Sequence, residues 1–416
     1  MMPQQPVTPS SLSAPDPFAY LYARVQKGIK PGLERIHAVW DKVRQTHSQL
    51  PQFILVAGTN GKGSTCGFIF QELYRRGYEV GLFSSPHLLE LRERFQVNQA
   101  FITDVELHQV IAKLTRCAGP DLFSQLTFFE VCTLVALEWF TASQVDFAVL
   151  EVGMGGRLDC TNVVCPVLSV VTSIDLDHQQ WLGDTLPQIA REKLGIGRPQ
   201  LPLLWCEPES VLKGLEGVLA EVSGTGVCVH RFQPRRVFQN CMQRNAEIAL
   251  QAVGLLCLDA RPRRVCSFKP VTHIARGQYL SSPYPSLYYT CHNLAACKQM
   301  MREVQCSYGD RPLWAVCAPL KDKAYQDILH YVGARVDLLI GYQADHARGL
   351  SAAEVTDLPF DWFAHARDAM DYVHAAWSAS MQQPRPLLLI FGSFLGLGDW
   401  LRVQGKSVQD LLHDHE

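Results

Sequence analysis

The stretch "VAGTNGKGST", residues 56–65, holds the densest set of groups able to handle phosphate. Gly58, Gly61 and Gly63 let backbone N–H groups approach an anion closely, and Lys62 adds a point charge. Thr59 and Asn60 complete the turn. The hydroxyls of Ser64 and Thr65 follow, and one of them can reach a Mg²⁺ ion accompanying a phosphate chain. The spacing departs from the common Walker A form, G-x-x-x-x-G-K-[ST]: Val56 stands at the first glycine, and Gly63 separates Lys62 from the hydroxyls. A glycine-rich turn opening a helix is the competing reading at this point.

Two further segments offer metal-binding or acid–base groups. "LEVGMGGRLDCTNVV" (150–164) ends an apolar run on Glu151, with three glycines close behind. "VTSIDLDHQQWLG" (171–183) leaves another apolar run and delivers Asp177 and His178. A carboxylate at the C-terminal edge of a strand, where open α/β sheets bind ligands, suits a Mg²⁺ ligand. A surface glutamate before a turn and a structural histidine are the plainer alternatives.

These groups need strands and helices to carry them. From about residue 51, short apolar runs alternate with amphipathic stretches: "FILVA", "YEVGLFSS", "VDFAVLEVG", "PVLSVVTSI" and "LPLLW" read as buried strands. "STCGFIFQELYRRG" and "FFEVCTLVALEWF" have helical spacing between them. A second series, "SLYYTC", "LWAVCA", "VDLLIGY" and "PLLLIFGS", starts near residue 286. Helical stretches of about 12–20 residues separate its members, as right-handed crossovers between parallel strands require. The join, "SFKPVTHIARGQYLSSPYPS", has no period. The pattern predicts an α/β fold: a P-loop domain with a mostly parallel sheet over residues 18–279, and a smaller Rossmann-like α/β domain over 280–416.

Composition narrows the class. The chain has 416 residues, 47% hydrophobic and 19% charged, with a formal charge of −2. That balance gives no electrostatic footprint for nucleic acid or an anionic membrane, so an anionic substrate needs a local site. Residues 1–17 read as a flexible leader and not as a signal peptide. The most apolar windows fall short of the ~18–20 residues that span a bilayer. Fourteen cysteines are scattered without a C-x-x-C pair, which points to a reducing cytoplasm and away from a zinc site.

The chain resembles the folylpolyglutamate synthase/dihydrofolate synthase family, relatives of the Mur peptidoglycan ligases. The matching stretches are "KPGLERI", "VAGTNGKGST", "SSPHLLELRERFQVN", "LTFFE", "EVGMGGRLDCTNVV", "TSIDLDHQQWLG", "REKLGI" and "CEPE", dense from about residue 30 to 210. Later matches are sparse: "RNA" (244–246), "ARGQ" (275–278), "HN" (292–293), "PLKDK" (319–323) and "FGSF" (391–394). The K-G-[ST] ending is that family's form of the loop, so the resemblance makes it an ATP loop. It implies an ATP-dependent ligase that adds L-glutamate to dihydropteroate, a reduced folate, or both, through an acyl phosphate. Such chemistry needs positioned cations around the transferring phosphoryl group and no covalent protein nucleophile.

The resemblance also implies roles. Ser85, Glu151 and His178 become Mg²⁺ ligands, with Ser64 or Thr65 facing the ATP-bound ion, although imidazole is an unusual Mg²⁺ ligand. Lys193 matches a lysine carried as a carbamate, Asn245 the residue that contacts adenine, and Arg276 the arginine that reaches the nucleotide phosphates. His292 and Asn293 take glutamate- or nucleotide-side roles. Departures gather in the second half. The family's D-x-x-H-N-P becomes "YTCHNL", with Tyr289 for the aspartate and Leu294 for the proline. Of the D-K-D segment only Asp322 and Lys323 remain, before Ala324. Ser393 is retained without the threonine and valine that usually follow.

The expectation is therefore a monomeric, cytoplasmic ligase using ATP and Mg²⁺ on small-molecule substrates. Restoring the acid by Tyr289→Asp is expected to raise its efficiency. The alternative is a protein that binds ATP and a pterin but has lost ligation through Tyr289. A Mur ligase proper would carry a UDP-binding domain before its loop, for which the 57 residues preceding Gly58 are short.

Overall fold

The computed structural model describes residues 21, 24–25, 28, 30–207, 211, 214–265, 270–309, 311–321, 325–355, 360–380 and 384–413. The expected leader (1–17), Asp322, Lys323 and the end of "CEPE" lie outside them.

Eight strands build the first sheet: β1 (Gln52–Ala57), β2 (Val80–Phe83), β3 (Phe95–Val97), β4 (Ala100–Phe101), β5 (Phe147–Glu151), β6 (Pro166–Val171), β7 (Pro202–Trp205) and β8 (Cys228–Arg231). Their order is 4-3-2-5-1-6-7-8. β2, β5, β1, β6, β7 and β8 run parallel, whereas β3 and β4 form antiparallel pairings at one edge. The chain moves outward on both sides of β1, so the strand ends beside β1 flank a crevice of the kind that binds ligands in open α/β sheets. Register brings those ends level: Val56 faces Glu151, and Ala57 faces Val171.

Helices cover both faces because the central strands are apolar on both. Leu55, Leu150 and Phe83 pack with the helix Phe128–Ala142. Ile54, Val149 and Val170 pack with Lys62–Arg75 and Cys241–Gly254 on the other face. Thr127 and Glu130 of "LTFFE" form a capping box at the start of Phe128–Ala142. The buried Glu130 pairs with Arg35 of "KPGLERI" at 2.9 Å, so an ion pair ties these two motifs together.

The second sheet comprises β9 (Arg276–Leu280), β10 (Ser286–Thr290), β11 (Leu313–Ala318), β12 (Leu338–Tyr342), β13 (Asp361–Phe363) and β14 (Leu387–Gly392), in order 13-12-11-14-10-9. It is parallel except for β9, which runs antiparallel to β10. The aperiodic join thus contains a strand, "RGQYL", whose backbone pairing outweighs its weak pattern. The boundary expected near residue 280 falls at the far end of that strand. No helix among the described residues is long and apolar enough to cross a membrane.

Candidate active site

The loop after β1 is clamped from the end of β6. Thr59 N–H donates to the Ser173 carbonyl at 2.8 Å, and Asn60 N–H donates to Ser173 Oγ at 2.8 Å. Thr172 Oγ1 and Ser173 Oγ donate to the Asn60 carbonyl at 2.7 and 3.0 Å. Gly61 then turns the chain at φ 85° and opens the helix at Lys62, two residues before the expected Ser64. A β-carbon on Gly61 would lie 2.9 Å from Asn245 Oδ1, so glycine is what lets Asn245 approach the loop.

Lys62 Nζ donates to the carbonyls of Gly58 and Thr59 at 2.8 and 3.2 Å. Burial pulls its pKa down, against the opposite pull of Glu151 and Asp177. Glu151 is buried, more fully than the half-buried Lys62, which raises its carboxyl pKa against the pull of Lys62 and of Ser85 N–H. The Ser85 amide donates to Glu151 Oε2 at 3.0 Å. A β-carbon on Gly63 would sit 3.2 Å from that oxygen, so the first helical turn lies directly on the carboxylate.

Lys193 arrives on the helix Leu186–Leu194, which Thr185 and Gln188 cap. A β-carbon on Gly156 would lie 2.9 Å from the Lys193 carbonyl, so this glycine of "GMGGR" lets the helix end pack against the loop after β5. Lys193 is 3% exposed, not a solvated helix lysine. Burial, with Lys62 adding, lowers its pKa to about 7. A carbamate needs a neutral amine, and this environment supplies one near neutral pH.

His178 occupies the left-handed region at φ 51°, which is sparse for a residue with a side chain. Its Nε2 lies 3.8 Å from Asp177 Oδ2, and His292 Nε2 approaches the same oxygen at 3.7 Å from the second sheet. Asn293 caps the helix Leu294–Tyr308 and donates through Nδ2 to Asn60 Oδ1 at 3.0 Å. Arg276 is half-buried and near Glu151, with its guanidinium 5.2 Å from the centre of the Phe394 ring. Tyr289 is less direct: its hydroxyl donates to Glu303 Oε2 at 3.3 Å.

The residues present fit a nucleotide with its ion. Thr65 Oγ1 and Arg276 Nε are buried without a hydrogen-bond partner among the described residues, and both flank the loop. Ser64 and Thr65 are themselves buried in the first turn. No group of three or more His, Cys, Asp or Glu side chains is placed to hold a metal among the described residues. Mg²⁺ keeps waters and phosphate oxygens, so one or two protein ligands suffice. Glu151 is a hard oxygen donor of that kind, and His178 is the weakest member of the set on chemical grounds.

Beside this edge lies a cavity of about 400 Å³ lined by Phe128, Phe129, Leu158 and Trp181, with Ser85 and His178 on its polar side. Two participants were given no role by the sequence: Thr172 and Ser173 open "TSIDLDHQQWLG" as hydroxyls after a strand. Glu303 gave no local sign at all.

No family model matches the chain. The dihydrofolate synthase/folylpolyglutamate synthase of Haemophilus influenzae is 31% identical over 428 residues, covering 92% of this chain and 96% of that protein. A solved structure of E. coli FolC in complex with DHPP and ADP aligns at a TM-score of 0.82, with 28% identity over 96% of this chain and 99% of that one. A bifunctional folylpolyglutamate synthase/dihydrofolate synthase with Mn, AMPPNP and L-glutamate bound aligns at 0.80, with 26% identity, covering 94% and 98%. Identity at this level along nearly the whole of both chains leads to one conclusion: the chain belongs to the dihydrofolate synthase/folylpolyglutamate synthase family.

Proposed function

We propose that the protein is an ATP-dependent amide ligase joining L-glutamate to dihydropteroate, to reduced folates, or to both. One observation carries this reading. Ser85 lines the aromatic cavity and, through its backbone N–H, holds the carboxylate that lies under the phosphate loop. A flat aromatic acid seated between Phe128, Phe129 and Trp181 thereby presents its carboxylate to the nucleotide.

In the reaction, an oxygen of that carboxylate forms a bond to the γ-phosphorus of ATP and ADP leaves. The glutamate nitrogen then attacks the acyl carbon, loses a proton, and phosphate departs with the carbon–oxygen bond. Lys62 and Arg276 supply fixed positive charge on either side of the transferring group, which is worth most where water is excluded. Glu151, Ser85 and His178, with Ser64 or Thr65, are the residues proposed to hold Mg²⁺, which neutralises phosphate charge when bound. The loop residues Gly58–Thr65 cradle the phosphates and Asn245 faces the base. Lys193, as a carbamate, orients the ion side of the site. His292 and Asn293 meet the incoming glutamate or the nucleotide from the second sheet.

A monomer working in the cytoplasm, with the domains joined ahead of Arg276, completes the proposal. The test is glutamate-dependent ADP release, run in parallel with dihydropteroate and tetrahydrofolate. Absence of glutamate-dependent ADP release with both acids, at saturating ATP, Mg²⁺ and bicarbonate, would refute the reading. The alternative without ligation drew its support from Tyr289, and the carboxylate beside that residue removes its motive.

A further inference from the structure

Tyr289 stands where the resemblance places an aspartate, and a buried carboxylate, Glu303, lies beside it. Glu303, on the helix Leu294–Tyr308, is 7% exposed and accepts three hydrogen bonds. Cys241 N–H donates to its Oε1 at 2.6 Å, Gln299 Nε2 donates to the same oxygen at 3.0 Å, and the Tyr289 hydroxyl donates to Oε2 at 3.3 Å. Gln299 is one turn earlier on the same helix, whereas Cys241 and Tyr289 belong to two other elements beside the phosphate loop. Cys241 opens the helix that carries Asn245 one turn later, on the same face. Its N–H is among the terminal groups with no partner inside the helix, and a carboxylate there also meets the positive end of the helix dipole. Tyr289 pairs across strands with Arg276, and a β-carbon on Gly277 would sit 3.1 Å from its hydroxyl oxygen. Glu303's own helix begins at Asn293, which binds Asn60 of the phosphate loop.

We propose that Glu303 is a nucleotide-positioning residue, held by Tyr289, that fixes the Asn245 helix to the strand of Arg276. The acid that the family places at position 289 is thus replaced by one delivered from the neighbouring helix, with tyrosine as its reach. An aspartate at 289 is too short to make that contact. Burial and the neighbouring carboxylate keep the phenol protonated, so it remains a donor. This inference rests on the ATP-ligase reading for its ligand.

The test uses the full chain and ADP with Mg²⁺ as the probe, titrated calorimetrically into wild type, Tyr289→Phe, Glu303→Gln and the double variant. Each single substitution is expected to weaken ADP about five- to tenfold, from the loss of one hydrogen bond to a charged group or of the charge itself. The double variant is expected to be no worse than the poorer single, because both act through one contact. In turnover, the KM for ATP rises, the KM for glutamate stays within about twofold, and the preference for ATP over GTP falls because Asn245 is less well placed. Wild-type ADP affinity in both singles, additive losses in the double, or a parallel rise in the glutamate KM would each overturn the proposal. Should Glu303→Gln fail to fold, Tyr289→Phe, which removes a single oxygen, carries the test alone. A wild type that binds ADP but releases none with any pterin acid would sink the ligase reading while leaving the binding arms to judge Glu303.

Discussion

The edges of the two sheets face the same reaction but are built differently. On the first, the groups proposed for the phosphates and Mg²⁺ follow strand ends: Gly58–Thr65 after β1, Ser85 after β2, Glu151 ending β5, and Asp177 and His178 after β6, while Lys193 and Asn245 arrive on helices. Backbone clamps such as Thr59 N–H on Ser173 hold these groups in place. On the second edge, Arg276 and His292 match the resemblance, but the carboxylate comes from a helix, Glu303, and reaches position 289 through the Tyr289 hydroxyl. Groups fixed by loop backbone have one possible source. A charge delivered by a long side chain can come from any element that reaches the spot, so the second edge tolerates exchange where the first does not.

That contrast is easiest to break at Lys62. Lys62→Ala should lower kcat/KM by roughly 10²–10³, or about 3–4 kcal/mol of transition-state stabilisation, with the thermal midpoint little changed. Near wild-type ADP release would show that the first edge is as replaceable as the second. Next comes Glu151→Gln, which should weaken Mg²⁺ by about 10- to 100-fold while ADP alone binds as before. An unchanged Mg²⁺ titration would assign the ion elsewhere.

Tyr289→Asp sharpens the comparison from the other side. The sequence suggested a gain, but with Glu303 in place the substitution strips a donor from one buried carboxylate and adds another. We expect about a tenfold rise in the KM for ATP, and partial recovery in Tyr289→Asp combined with Glu303→Gln. A gain in the single variant would remove Glu303 from the account.

The smallest effect concerns pH. With Lys193 lowered to about 7 from 10.5, its amine is about half neutral at pH 7 and about nine-tenths neutral at pH 8. At fixed dissolved CO₂, activity limited by the carbamate should rise about twofold over that interval. Stability shifts in the same direction. Between the two pKa values the unfolded chain holds a proton that the folded chain has lost, so stability climbs as pH rises through that window. Lys193→Met should flatten both responses. A profile that stays the same in this variant would return Lys193 to a packing role.

What could be read in the sequence follows the same division. β1, β5 and β6 are contiguous apolar runs ending in glycine or hydroxyl residues, and such local signals survive into the fold. β9 ("RGQYL"), β8 ("CVHR") and β13 ("DWF") are short and interrupted by polar or charged residues, and their strand character comes from a neighbour's backbone. Glu303 was illegible for a related reason. Its contact with Cys241 spans 62 positions, and nothing near residue 303 marks it. The Lys193 motif was visible, but its burial depends on the packing of Gly156, a relation that no window around "REKLGI" contains.

The join between the phosphate loop and the second sheet has a consequence for how the protein responds to its solvent. Asn60 and Asn293 exchange amide hydrogen bonds in both directions, at 3.0 and 3.4 Å, and neither side chain carries charge. Added salt screens the attraction of ATP and glutamate for the cleft, but leaves a neutral amide pair almost untouched. Ionic strength therefore separates two quantities that mutation would confound. A fall in rate with added salt reads out the capture of charged substrates, against an alignment of the two sheets that stays constant.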